Sequence, residues 1–158
     1  GTYAEAFVAR NPQLSATVFD LPNAVAVGRA EMEKRGNPHK IEFQAGDLFE
    51  DDIGEGWDVA LACNLVHAFS PERNKILFEK VYAALAEGGR FAIMDQILGL
   101  GSIHDMIARL FSFNLFTVGG RTYEIDTLQQ MLTESGFSKI THKKLSKAVG
   151  SAVVIAEK

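Results

Sequence analysis

Apolar segments alternate with helical patterns along the chain, and this alternation predicts an α/β fold in which helices cover both faces of a β-sheet. The predicted strands cover residues 16–19, 40–45, 57–63, 90–97, 139–145 and 152–157. The predicted helices cover residues 2–11, 23–35, 70–86, about 102–117 and 124–135. We find no internal repeat, low-complexity tract or linker, so a single wound sheet accounts for the pattern.

The last two predicted strands form an antiparallel hairpin, because only residues 146–151 separate them. A parallel crossover would need about a dozen residues or more. The sheet is therefore predicted to be mostly parallel, with one reversed strand near its end. The strand at 57–63 is nearly all apolar, so we expect it to be buried on both faces. Gly36 predicts the end of the second helix, and Ser70 followed by Pro71 predicts the start of the third.

Composition and charge fit an ordinary globular domain. The chain has 158 residues, of which 47% are hydrophobic and 23% are charged. That length predicts one domain with a single core. The net charge of −4 provides no basic surface for a polyanion, so we expect no nucleic-acid partner. No apolar run reaches the ~18 residues of a membrane span, and no leader pattern opens the chain, so we expect a cytoplasmic protein.

The single cysteine, Cys63, excludes an internal disulfide and a cysteine-rich zinc site, and it fits a reducing compartment. His39, His104 and His142 lack the spacing of metal ligands. We expect these three histidines to lie at the surface, and we expect no metal site.

Acidic and polar residues follow successive predicted strands, where open α/β sheets bind ligands. Asp20 lies 19 residues after Gly1, near the spacing of about 20 between a glycine turn and a ribose-binding acid. Asp47 could accept a hydrogen bond from an exocyclic amine while Leu48 and Phe49 cover a purine ring. Together these residues predict an adenosine pocket. The alternative for each acid is a turn former or a helix cap.

Five segments occur in a fixed order: TVFDLP, FQAGDLFED, LACNLVHAFSPE, LAEGGRFAIMD and GGRTYEIDTLQQMLTESGF. Together they resemble the catalytic domain of the S-adenosylmethionine-dependent O-methyltransferases of the caffeate/hydroxyneurosporene type. The resemblance implies a Rossmann-like class I methyltransferase sheet, whose reversed strand agrees with the predicted hairpin. It also implies S-adenosyl-L-methionine as cofactor and a small, hydroxylated, aromatic molecule as methyl acceptor.

By the same resemblance, His67 is the general base. The residues implied to bind the cofactor are Gly1, Asp20, Leu21, Asp47, Leu48, Phe49, Cys63 and Asn64. Ala68 stands where many family members have an acid, which leaves Asp95 or Glu124 as the partner that orients the imidazole. The alternative for His67 is a histidine that caps the core and is satisfied by a backbone carbonyl.

A histidine base suits the chemistry, because a phenol with a pKa near 10 is mostly protonated at neutral pH and is then a poor nucleophile. A neutral imidazole within hydrogen-bond reach can take the proton during attack, which typically contributes about 10²–10⁴ in rate. Residues 103–118 are apolar nearly all round as a helix. Met106, Phe113 and Asn114 are predicted to form the floor of the acceptor site; the alternative is core or dimer packing.

The chain opens at what resembles the last glycine of the family's glycine-rich turn. We therefore expect residues 1–158 to be a cofactor-binding catalytic domain that lacks its first strand and the helical dimerisation domain of the family. Loss of that strand should weaken cofactor binding, and the full-length protein is expected to be a homodimer. Two other functions stay open: a non-catalytic descendant of the fold, and a nicotinamide oxidoreductase, although the latter's GxGxxG turn is absent from the sequence.

Overall fold

A computed structural model describes residues 1–36, 41–116, 119–145 and 150–158, with side chains for all of these except residues 102, 114 and 116. The chain forms two compact units, residues 1–53 and residues 54–158. We describe each unit by itself. That residues 1–158 act as one cofactor-binding domain stays a prediction.

The first unit contains two helices and two strands: α1 (Thr2–Arg10), β1 (Thr17–Asp20), α2 (Pro22–Lys34) and β2 (Glu42–Ala45). The strands pair in parallel, with Asp20 opposite Ala45. A small core of Val8, Met32 and Ile41 packs beneath them. Gly36 follows α2 with a φ of 77°, as predicted for a helix end, because glycine adopts this left-handed conformation without a steric penalty.

The second unit holds the larger sheet. Its elements in chain order are β3 (Trp57–Cys63), a short 3₁₀ turn (Val66–Ala68), α3 (Pro71–Ala84), β4 (Leu85–Leu98), α4 (Ser102–Phe116), β5 (Tyr123–Glu124), α5 (Ile125–Glu134), β6 (Ser138–Lys144) and β7 (Ser151–Glu157). The strand order is β3-β4-β7-β6, and β5 pairs with the end of β4.

Strand directions confirm the predicted mixed α/β fold. β3 and β5 run parallel to β4, whereas β7 runs antiparallel to both β4 and β6. β6 and β7 thus form the antiparallel hairpin that the short connection predicted, and β7 is the one reversed strand in the described part of the sheet. Ser70 caps α3 as expected, since its hydroxyl accepts a hydrogen bond from the backbone N–H of Arg73 at 3.4 Å.

Two predictions about the sheet were wrong. β4 begins at Leu85, which pairs with Trp57, so the residues assigned to the last turn of the third helix belong to the strand. β3 is not buried on both faces: Val59 is 58% exposed and Leu61 41%. Within the described part of its sheet, β3 pairs with β4.

Aromatic rings fill much of the second unit's core. Phe91 meets Phe78 edge to face and Phe137 at a tilt, with ring centroids 5.6 Å and 5.7 Å away. Tyr82 meets Phe137 edge to face. None of the described helices is long and apolar enough to cross a lipid bilayer.

Candidate active site

The end of β3 turns the chain directly towards β4. Asn64 follows the strand with a φ of 51°, a left-handed conformation that asparagine tolerates better than most residues. Its backbone N–H donates to the carbonyl of Met94 at 2.8 Å. The 3₁₀ turn comes next, and it places His67 beside Asp95, the residue that follows Met94.

Asp95 holds both the ring and the backbone of His67. Its Oδ1 lies 2.7 Å from Nδ1 of the imidazole, and its Oδ2 accepts the backbone N–H of His67 at 3.2 Å. The side chain of Asp95 is 3% exposed and that of His67 13%. Because a carboxylate can only accept a hydrogen bond, Nδ1 is the donor in this contact, and Nε2 is the ring nitrogen that does not bond Asp95.

Glu124, the other residue considered as an orienting partner, lies elsewhere. Its carboxylate is 3.8 Å from the guanidinium of Arg109. Asp95 is therefore the acid that contacts the imidazole. The backbone N–H of Gln96 also donates to Oδ1 of Asp95, at 2.8 Å, which fixes the orientation of the carboxylate itself.

Neighbouring segments enclose His67 on its other sides. Phe111 of α4 meets the imidazole edge to face, with ring centroids 5.1 Å apart. The backbone N–H of Arg121 donates to the carbonyl of His67 at 2.8 Å. Gly120 lies so close that an added Cβ would stand 2.8 Å from the same carbonyl oxygen, so a side chain there would displace the backbone.

Two buried side chains bind the turn that carries His67. The amide nitrogen of Asn74 donates to the carbonyl of Val66 at 2.9 Å and to that of Phe69 at 3.5 Å. The hydroxyl of Tyr123 donates to the Phe69 carbonyl at 2.6 Å. The position of His67 therefore depends on α3 and β5 as well as on β4.

Cys63, one of the residues implied to bind the cofactor, is half-buried at the carboxyl end of β3. Burial raises the pKa of its thiol, and the negative charge of Asp95 raises it further. The side chain is thus a neutral thiol at physiological pH. Cys63 and Asn64 lie within four residues of His67, so the structure brings these three predicted residues to one strand end.

Two of the predicted acceptor-site residues, Met106 and Phe113, are exposed on α4. Met106 is 50% exposed and Phe113 79%, and Ile103 and Leu110 share the same stripe. The side chain of Asn114 lies outside the described part of the structure. Core packing within the chain, one of the alternatives, therefore does not hold for this stripe, whereas the acceptor site and dimer packing stay predictions.

In the first unit, Asp20 is the last residue of β1 and Asp47 lies two residues after the parallel strand β2, so both lie at one end of that small sheet. Oδ1 of Asp20 accepts the backbone N–H of Leu21 at 2.8 Å, and Oδ1 of Asp47 accepts that of Phe49 at 2.8 Å. Both acids thus also form local turns. Leu21 is exposed, Leu48 and Phe49 are half-buried, and Gly1 precedes α1.

The histidines considered as surface residues differ in environment. His142 is exposed as predicted. His104 is half-buried and its Nδ1 accepts the backbone N–H of Gly150 at 3.0 Å, so the surface prediction was wrong for it. His39 lies outside the described residues. Among the residues that the structure describes, no three histidine, cysteine or acidic side chains are grouped as metal ligands.

Comparison with known proteins identifies the family. The family profile described as O-methyltransferase domain matches residues 1–138. The chain belongs to the O-methyltransferase domain family. Demethylspheroidene O-methyltransferase of Rhodobacter capsulatus is 30% identical to this O-methyltransferase-family chain over 150 residues. L-tyrosine C(3)-methyltransferase of Streptomyces lavendulae is 26% identical over 138 residues.

Solved structures share the fold of this O-methyltransferase-family chain. Human N-acetylserotonin methyltransferase in complex with SAM superposes with a TM-score of 0.85 at 23% identity, over 98% of this chain and 44% of the human one. A family 2 O-methyltransferase of Planctomyces limnophilus in complex with apigenin superposes with a TM-score of 0.88 at 23% identity, over 100% and 48%. At these identities the likeness establishes the fold, which is that of Rossmann-like methyltransferases.

The O-methyltransferase-family chain spans less than half the length of these relatives. The match to the Rhodobacter protein covers 93% of this chain and 36% of that protein, and the match to the Streptomyces protein covers 85% and 38%.

Sequence reasoning missed several residues of the site: Asn74, Phe111, Gly120, Arg121 and Tyr123. One signal could have found Asn74. It shares a helical face with Leu77, Phe78 and Val81, all of them buried. A polar side chain at an apolar position of an amphipathic helix requires a hydrogen-bond partner. The position of Asn74 among apolar residues therefore indicated that its amide makes a buried hydrogen bond.

Proposed function

We propose that this chain is the cofactor-binding catalytic part of an S-adenosyl-L-methionine-dependent methyltransferase that methylates a hydroxyl of a small aromatic molecule, with His67 as general base. The carrying observation is the pair that His67 forms with the buried carboxylate of Asp95. A carboxylate on Nδ1 fixes the ring and its tautomer, and it stabilises the imidazolium that forms when Nε2 takes a proton.

The rest of the site suits proton removal from a phenol. Nε2 of His67 is free of the Asp95 bond, and the aromatic edge of Phe111 limits rotation of the ring. Removal of the acceptor's proton during attack raises the nucleophilicity of its oxygen. The histidine therefore serves as base, and Asp95 orients it.

The residues fit the proposed cofactor. When bound, S-adenosyl-L-methionine supplies the methyl group. Asp20 is exposed at a strand end and engages the adjacent Leu21 N–H through Oδ1, which leaves its carboxylate open to ribose hydroxyls. Asp47, Leu48 and Phe49 would bind the adenine ring. The neutral thiol of Cys63 would contribute a small, polarisable surface near the methionine portion, together with Asn64. Gly1 and Leu21 complete the proposed set.

The proposed acceptor contacts are Met106, Phe113 and Asn114, of which Met106 and Phe113 are exposed on α4. The named relatives methylate oxygen in one protein and C(3) of L-tyrosine in the other. C-methylation is therefore the second candidate, because a base that deprotonates a phenol also activates the ring carbon beside its hydroxyl. A cytoplasmic location and a homodimeric full-length protein stay predictions.

The test uses the natural polypeptide, whatever its full length. Calorimetry with S-adenosylhomocysteine and with NAD separates the classes: binding of the former alone supports a methyltransferase, binding of NAD supports an oxidoreductase, and binding of neither supports a non-catalytic descendant. Methyl-labelled cofactor with a panel of hydroxylated aromatics then measures turnover, and mass spectrometry of the product distinguishes oxygen from carbon as the acceptor.

The role of His67 is tested by His67→Ala, with His142→Ala as the matched control at an exposed histidine. We expect His67→Ala to keep its affinity for S-adenosylhomocysteine and to lose about 10²–10⁴ in kcat. His142→Ala should behave as the parent. Parental turnover by His67→Ala would remove His67 from the chemistry.

A further inference from the structure

The turn that carries His67 is bonded at three backbone carbonyls from outside the turn. The carbonyl of Val66 accepts from the Asn74 amide at 2.9 Å, and that of His67 accepts from the backbone of Arg121 at 2.8 Å. The carbonyl of Phe69 accepts from both Tyr123 and Asn74. The donors come from α3, from the segment before β5 and from β5 itself, so residues 66–69 are bound on more than one side.

Asn74 is an unusual residue for its place. It is completely buried, on the α3 face that also presents Leu77 and Phe78 to the core. A leucine, which has nearly the same shape, would pack on that apolar face without a buried polar group. The Tyr123 hydroxyl has one proton, which the Phe69 carbonyl accepts, and among the described residues Oδ1 of Asn74 has no hydrogen-bond partner. A buried oxygen without a partner destabilises the fold, so the contribution of this side chain lies in its N–H groups.

Tyr123 of β5 bonds the same turn that Asn74 bonds from α3. It is 5% exposed. Its hydroxyl donates the shorter of the two hydrogen bonds to the Phe69 carbonyl, 2.6 Å against 3.5 Å for the Asn74 amide. Burial raises the pKa of its phenol, so the proton needed for this bond is retained across the physiological pH range. Val66 and Phe69 lie on either side of His67 in sequence, and the two buried residues thus hold both ends of its turn.

We propose that Asn74 and Tyr123 are positioning residues for His67: together they fix residues 66–69 so that Nε2 points at the proton to be removed. The proposal rests on the proposed function of His67. The bond from Asp95 to the ring constrains the imidazole relative to β4, but the direction of Nε2 also depends on where the turn places the Cα of His67. A displacement on the order of 1 Å from the productive geometry can lower the rate about a hundredfold.

Asn74→Leu removes both amide bonds and keeps the volume of the side chain. We expect kcat to fall between about tenfold and about a hundredfold, with little change in acceptor KM and in affinity for S-adenosylhomocysteine. Ser135→Ala is the matched control: it removes a buried side-chain bond, from Ser135 Oγ to the Met131 carbonyl in α5, that does not involve the turn. This control should keep the parental kcat.

Tyr123→Phe removes the other donor and keeps the ring. Both variants act on the Phe69 carbonyl, so their effects on kcat should not add in the double variant, whereas each should add with Ser135→Ala. A second measurement is independent of turnover. The ¹⁵N NMR shifts of the His67 imidazole report its tautomer, and we expect the Nδ1–H form to lose population in both single variants.

The results distinguish the positioning role from the proposed function. If the parent does not transfer methyl groups, the proposed function fails, and the ¹⁵N shifts still decide whether Asn74 and Tyr123 fix the ring. If Asn74→Leu does not fold, the kcat and the imidazole ¹⁵N shifts of Tyr123→Phe test the positioning role. Folded variants with parental kcat and parental imidazole shifts would overturn the proposal. So would a loss of kcat matched by an equal loss of cofactor affinity, because that pattern indicates a general structural defect.

Discussion

Oδ1 of Asp95 lies 2.7 Å from Nδ1 of His67, although 28 residues separate the two along the chain. The second oxygen of the same carboxylate binds the backbone N–H of His67 at 3.2 Å. One buried acid thus contacts both the backbone of the turn and the imidazole nitrogen that faces it.

Asp95→Asn should therefore impair turnover more than stability. An asparagine can present its NH₂ to Nδ1, which selects the tautomer with the proton on Nε2, and that tautomer cannot accept the acceptor's proton. We expect kcat to fall by about 10²–10⁴ with cofactor affinity retained, measured by steady-state kinetics and calorimetry.

The control for this variant is Asp105→Asn. Oδ1 of Asp105 accepts the backbone N–H of Leu100 at 2.9 Å, and an asparagine oxygen can accept the same bond. Asp105→Asn should keep the parental kcat. An Asp95→Asn variant as active as its control would show that the pair does not set the tautomer.

Gly120→Ala tests the close approach of the following loop. The added Cβ would meet the carbonyl oxygen of His67 at 2.8 Å, which is backbone and cannot rotate away. We expect the turn to shift and kcat to fall about tenfold or more, since small misplacements of catalytic groups lower rates steeply. The control is Ala83→Ser, a small change at an exposed position of α3. Gly88→Ala is unsuitable because Gly88 has a φ of 74°, which an alanine adopts only with backbone strain. Equal kcat for Gly120→Ala and the parent would contradict the prediction.

Asp20→Ala tests the proposed ribose contact. Hydrogen bonds to a charged carboxylate contribute about 1.5–3 kcal/mol, so the affinity for S-adenosylhomocysteine should fall about tenfold to a hundredfold by calorimetry. The matched control in the same unit is Glu31→Ala, which removes an exposed carboxylate paired with Lys34 at 2.7 Å. An unchanged affinity in Asp20→Ala would assign Asp20 to the local turn at Leu21 alone.

The thiol of Cys63 should react slowly. Its pKa is raised by burial and by the charge of Asp95, so at pH 8 the thiolate fraction is smaller than that of an ordinary cysteine. Iodoacetamide labelling, followed by peptide mass spectrometry, should be slower in the folded protein than in urea. Labelling should be faster in folded Asp95→Asn than in the folded parent, because removal of the negative charge lowers the pKa of the thiol. Equal rates in these two folded proteins would show that the charge has no effect.

Phe78→Ala should destabilise the second unit. Phe78 is completely buried and meets Phe91 edge to face. We expect the free energy of unfolding to fall by about 3–5 kcal/mol in urea titrations. Ile76→Ala, two residues earlier on the same helix and 51% exposed, should change it by less than about 0.5 kcal/mol. A small effect of Phe78→Ala would mean that the aromatic cluster is not a central part of the core.

Local features of the sequence correctly predicted the elements that depend on local physics. The short connection before β7 required an antiparallel hairpin, Ser70 and Pro71 marked the start of α3, and Gly36 marked the end of α2. Each of these signals acts within a few residues, through loop reach, an unpaired backbone N–H or a positive φ. Hydrophobic runs also gave the right type for the predicted strands that the structure describes.

What the sequence by itself determined is the order of elements and the strand ends that carry Asp20, Cys63 and His67. The tertiary structure alone decided that Asp95 contacts the imidazole and that Asn74 and Tyr123 hold its turn. The reason is that the hydrophobic periodicity of helices and strands and the capping of helix ends act between near neighbours along the chain. The contacts of Asp95, Asn74 and Tyr123 join residues that come close only after the helices and strands have packed.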